Sequence, residues 1–64
     1  MKATVYWKDW MTGKRYQKTF VVEQNEPNHI LNIARKNCYL GADDYVTNIK
    51  CGRYIFEWNG KPNW

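Results

Sequence analysis

The pattern of apolar and polar positions is interrupted four times along the chain, and the breaks separate five elements. In residues 2–10 Ala3, Val5 and Trp7 alternate with Thr4, Tyr6, Lys8 and Trp10, the period of a half-buried strand. Met11-Thr12-Gly13-Lys14 reads as a turn, with Gly13 free to take a positive φ. Residues 15–23 alternate again, Tyr16, Phe20 and Val22 on one face and Gln17, Thr19 and Val21 on the other, so the first two strands form a hairpin. The period then lengthens. Asn25-Glu26-Pro27 carries a capping side chain, an early acid and a proline suited to the first turn. Ile30, Leu31, Ala34 and Cys38 follow on one helical stripe, with Asn28, Asn32, Arg35 and Lys36 opposite. This predicts a helix from near Pro27 to near Tyr39, with Gly41 as its stop.

Past the polar loop Ala42-Asp43-Asp44, period two returns. In residues 45–51 Tyr45, Thr47, Ile49 and Cys51 face away from Val46, Asn48 and Lys50. Gly52 marks a tight turn, and residues 53–58 set Tyr54, Phe56 and Trp58 against Arg53, Ile55 and Glu57. Asn59-Gly60 is the strongest short hairpin signal, so Lys61-Pro62-Asn63-Trp64 is read as a return along an edge, where Pro62 is tolerated. The order is β-β-α-β-β with provision for a fifth strand. The expected fold is α+β: one helix packed on one face of a four- to five-stranded, mostly antiparallel sheet. Its expected core is Val5, Trp7, Phe20, Val22, Ile30, Leu31, Ala34, Cys38, Ile49, Phe56 and Trp58.

Size makes this core demanding. The 64 residues allow a single domain, spanning 1–64, and a chain this short buries only about 60% of its unfolded surface. Eleven aromatic residues compensate, because each can bury roughly 150–250 Å². No apolar run approaches the roughly 20 residues of a membrane span, and the first residues lack the apolar centre of an export signal, so a cytoplasmic protein without membrane contact is expected.

The same composition narrows the chemistry. The chain has no serine and one histidine, His29, for which no catalytic partner is evident. Cys38 and Cys51 match no metal or redox spacing. They are expected as reduced, buried thiols, although a helix end and a strand end could meet in a disulfide. Asp43-Asp44 falls short of a calcium loop and receives no function. The expectation is a binding protein, without enzyme activity, cofactor or metal.

Two surfaces remain for binding. The formal net charge is +4, with basic ends and a mildly acidic middle. A single helix covers one sheet face, and the alternation leaves Tyr6, Trp10, Val21, Val46 and Ile55 on the other, beside Lys8, Lys50 and Arg53. Tyr6, Lys8, Trp10 and Lys50 are the residues there that could stack bases and pair phosphates, the alternative reading being a small basic nucleic-acid-binding module. The same face could serve a homodimer. The second surface is the outer side of the helix, where Asn28, Asn32, Arg35 and Lys36 offer amides and two adjacent cations.

Three segments carry a resemblance: Lys2-Ala3-Thr4 opening the first strand, Ile33-Ala34-Arg35-Lys36-Asn37-Cys38-Tyr39-Leu40-Gly41 at the helix end, and Asn59-Gly60-Lys61-Pro62-Asn63-Trp64. With these the chain resembles the small phage-encoded anti-CRISPR proteins that act on type I surveillance complexes. It departs from them in a longer first hairpin and a sparse match over residues 5–25. The resemblance implies docking on the Cas7-type backbone of the multisubunit complex near the guide RNA, blocking target DNA. It also implies recruitment of non-specific double-stranded DNA. Arg35 and Lys36 are the carried-over contact residues, with Lys61 in the tail turn beside them. The β-β-α-β order is also similar to that of the small RNA-polymerase inhibitor of T7-like phages, which uses an acidic surface, whereas this chain is basic.

Overall fold

The computed structural model describes residues 1–62. The order is β1 (Lys2–Lys8), β2 (Arg15–Val21), α1 (Pro27–Lys36), β3 (Tyr45–Cys51) and β4 (Tyr54–Gly60). The strands form one wholly antiparallel sheet in the order β2-β1-β3-β4, so the helix carries the chain across β1 between its two neighbours. This is the expected α+β fold, with four strands among the described residues. Lys61 and Pro62 follow β4 outside any strand, and the rest of the expected fifth strand, Asn63 and Trp64, lies outside the described residues.

The first hairpin closes on Asp9. Its Oδ1 accepts hydrogen bonds from the backbone N–H of Met11 (2.8 Å) and Thr12 (3.0 Å), and Gly13 takes φ +74° as expected. These bonds favour the ionised carboxylate and lower the Asp9 pKa from its ordinary value.

Both helix ends differ from the sequence expectation. Glu26, rather than Asn25, is the N-cap: its carboxylate accepts from the Asn28 and His29 N–H groups. At the other end the helix stops at Lys36, three residues before Tyr39, and Gly41 is not the stop. Cys38 adopts φ +58°, Cys38 N–H bonds to Arg35 O, and Tyr39 N–H bonds to Ala34 O. This is a Schellman closure with cysteine where glycine is usual. Cys38 therefore leaves the apolar stripe and is exposed, whereas Cys51 is buried; both thiols are free. The turn lets Tyr39 pack on Phe20 (5.3 Å between ring centroids), and Lys18 reaches over the Tyr39 ring.

The core is Ala3, Val5, Trp7, Phe20, Val22, Ile30, Leu31, Ala34, Leu40, Val46, Ile49 and Cys51, with Ile33, Tyr39, Phe56 and Trp58 partly buried against it. Phe56 and Trp58 thus border the core instead of filling it. Val46 is the instructive difference, because strict alternation places it on the open face. The β1–β3 register shifts between Tyr6 and Trp7: Tyr6 pairs with Asn48 but Trp7 with Val46, so Thr47 is an extra residue. The bulge reverses the faces beyond it, burying Val46 and turning Tyr45 outward opposite Lys8. The Thr47 hydroxyl, freed from the pleat, donates to Tyr6 O at 3.1 Å.

The same irregularity explains Asn59-Gly60. Val46 pairs with Gly60 and Asn48 with Glu57, so β4 carries its own extra residue opposite Thr47. Asn59 takes φ +51° to accommodate it. The left-handed preference of Asn59 is thus used for a bulge inside β4, not for a hairpin.

Candidate functional site

The outer face of α1 forms as the sequence indicated. Asn28, Asn32, Arg35 and Lys36 are all exposed, while Ile30, Leu31 and Ala34 seat the opposite side on the sheet. The helix contains no acidic residue, because Glu26 lies at its cap with its carboxylate committed to two N–H groups. The basic pair sits in the last turn, at the negative end of the helix dipole. A shallow groove runs along this face, lined by His29, Asn32, Ile33, Arg35 and Lys36. Arg35 also borders a second groove, with Trp7, Asp9, Tyr16, Tyr39 and Asp44, and is engaged within the molecule.

His29, to which the sequence assigns no role, contributes a wall of the helix groove, and its Nε2 is buried with no hydrogen-bond partner among the described residues. Lys61 is engaged away from the helix: its ammonium lies 3.5 Å from the Asp43 carboxylate, both exposed. Trp58 Nε1 donates to Lys61 O and ties this stretch to β4. Asp44 has a structural task, accepting from Gly41 N–H at 2.7 Å.

On the open sheet face, cross-strand registers fix which side chains meet. Tyr6 lies between Gln17 and Asn48, and Lys8 between Arg15 and Tyr45. Thr4 lies between Thr19 and Lys50, its hydroxyl 2.8 Å from that of Thr19. Tyr6, Lys8 and Lys50 are therefore brought onto one face as expected, and Val21 and Ile55 are exposed there. Three expected members are not: the bulge at Thr47 turns Val46 into the core. Trp10 lies in the turn after β1, and Arg53 lies in the β3–β4 turn, because each falls just outside the strand whose alternation was extended to it. Three members were missed: Lys2, Arg15 and Tyr45. The parity of Lys2 and Arg15 was legible in the strand pattern. That of Tyr45 was not, because it depends on the bulge at Thr47.

Among the described residues no cluster of three or more His, Cys, Asp or Glu could hold a metal ion, and no helix is long and apolar enough to cross a membrane. Comparison with protein-family models, curated proteins and solved structures gives no match.

Proposed function

We propose that this is a non-catalytic phage inhibitor that docks on a host type I CRISPR surveillance complex in the host cytoplasm and blocks target DNA binding. The contact is the outer face of α1 against Cas7-type subunits near the guide RNA. The observation that supports it is the exposed, acid-free helix face, with Asn28 and Asn32 amides beside Arg35 and Lys36 at one end. Amides and cations together suit the edge of a channel that holds an anionic RNA backbone between protein walls. The basic pair gives the same face a means of recruiting non-specific duplex DNA. The acidic contact surface of the T7-type polymerase inhibitor has no counterpart on either surface described above.

The test is a tagged pull-down from lysates of CRISPR-carrying bacteria, with and without nuclease. The expected result is a stoichiometric Cas7-containing complex that survives digestion. It should be lost with Arg35→Glu plus Lys36→Glu, and weakened with Lys36→Glu alone, a change that disturbs no ion pair among the described residues. Wild-type recovery by both variants at unchanged thermal stability would overturn the helix-face assignment.

A further inference from the structure

The open face of the sheet has a charge pattern that the fold does not need. Lys2, Lys8, Arg15 and Lys50 project from three adjacent strands, and the strands oppose them with one carboxylate, Glu57. None of the four cations makes an ion pair among the described residues. Lys8 and Arg15 are direct cross-strand partners, an arrangement that repels and costs stability. Antiparallel faces exposed to water normally intersperse both signs of charge. Here the cations run from the Lys2 end of β1 to its Lys8 end, and two tyrosines lie among them.

The tyrosines are placed as platforms. Tyr45 is 40% exposed and stands opposite Lys8, whose ammonium lies 6.0 Å from its ring centroid. Tyr6 and Tyr45 face the same side of neighbouring strands, Tyr45 opposite the residue two along β1 from Tyr6, with the Thr47 bulge between. That placement lets two splayed bases each take its own ring while phosphates pass the flanking cations. A shallow cleft beside Tyr6 is walled by Arg15, Gln17, Thr47 and Asn48, so one of the four cations is joined there by three hydrogen-bonding side chains.

We propose that this face is a second binding site, distinct from the helix surface, and that its ligand is single-stranded nucleic acid. Lys2, Lys8, Arg15 and Lys50 contact phosphates, and Tyr6 and Tyr45 stack bases. The choice of single strand over duplex rests on the tyrosines, since a paired helix offers no free base faces to a flat sheet. The proposal does not depend on the inhibitor reading, because none of its residues lies on α1.

Fluorescence anisotropy with a labelled single-stranded oligonucleotide of roughly 10 nucleotides, matched in length to one sheet platform, tests it. With four phosphate contacts the log–log dependence of affinity on salt should have a slope of about −3, from about −0.7 per contact. Lys8→Gln with Arg15→Gln should make the slope shallower by about 1.4, and Lys2→Gln with Lys50→Gln should do the same from separate positions. Tyr45→Ala should weaken binding about fivefold or more without changing the slope. None of these substitutions lies on α1, so the pull-down with the wild-type helix face reports on the inhibitor reading separately. Failure to bind, an unchanged slope in both double glutamine variants, or duplex or polyglutamate bound as tightly with Tyr45→Ala silent, would each overturn the proposal.

Discussion

Two residues show how a local conformation is set by what the chain must do next. Cys38 sits at φ +58°, a region that an L side chain enters at a cost of about 1 kcal/mol or more. It stays because the two closing bonds from Cys38 and Tyr39 end the helix and return Tyr39 to Phe20. Cys38→Gly should therefore stabilise the protein by about 1 kcal/mol, read as a rise of roughly 4–8 °C in Tm by circular dichroism. An unchanged or lower Tm would mean that the exposed thiol contributes packing beyond its backbone geometry. Asp9 works in the opposite sense, relieving the turn by accepting two N–H bonds. Its pKa is lowered in the folded protein, mainly by the Thr12 and Met11 backbone bonds. The stability it contributes is present above the unfolded value near pH 4 and is lost as pH falls through the lower folded value. Acid titration of Tm should accordingly be steeper below about pH 4 for the wild type than for Asp9→Asn.

At the scale of elements, the bulge at Thr47 and its counterpart at Asn59 decide which side chains the sheet buries. Val46 and Val21 are both strand valines that alternation assigns to the open face, yet Val46 is fully buried and Val21 is 70% exposed. Val46→Ala should cost about 2 kcal/mol, from lost burial and the cavity left behind. Val21→Ala should stay within about 0.5 kcal/mol. Urea unfolding of the two variants measures the contrast, and equal effects would argue that β3 pairs with β1 without the bulge. The helix cap belongs to the same scale. Glu26→Ala removes the acceptor for two N–H groups and should cost about 1 kcal/mol.

For the whole molecule, one small core holds everything together. A chain of 64 residues has a stability of roughly 3–10 kcal/mol. Trp7 is 8% exposed and stacks on Tyr16 at 6.0 Å, so Trp7→Ala should remove about 3–5 kcal/mol and leave much of the population unfolded at 25 °C. A near-native circular dichroism spectrum with cooperative melting close to the wild-type Tm would contradict this. The division of labour between faces also belongs to this scale. The helix seats its apolar stripe on the sheet and offers its polar side outward, and the opposite sheet face remains open to solvent.

Much of this was settled by the sequence alone. Two periodicities, one capping region and the Gly13 turn determine the β-β-α-β-β order, because each depends on neighbours within a few residues. For the same reason the outward helix face with Asn28, Asn32, Arg35 and Lys36 could be read directly, as could Tyr6, Lys8 and Lys50 on the open sheet face. What only the tertiary structure decided are the features that need a second strand or a distant ring as reference. Asn59-Gly60 carries the local preferences of a hairpin turn, and only the register of β3 against β4 turns it into a bulge. Tyr45 and Val46 exchange faces because an extra residue in β3 is invisible until β1 is laid beside it. Cys38 fits the helical stripe by spacing, but the docking of Tyr39 on Phe20 accompanies an earlier stop. Side-chain periodicity is a property of one strand or helix. Register and termination are settled between elements, and there a shift of one residue reverses which side chains face the core.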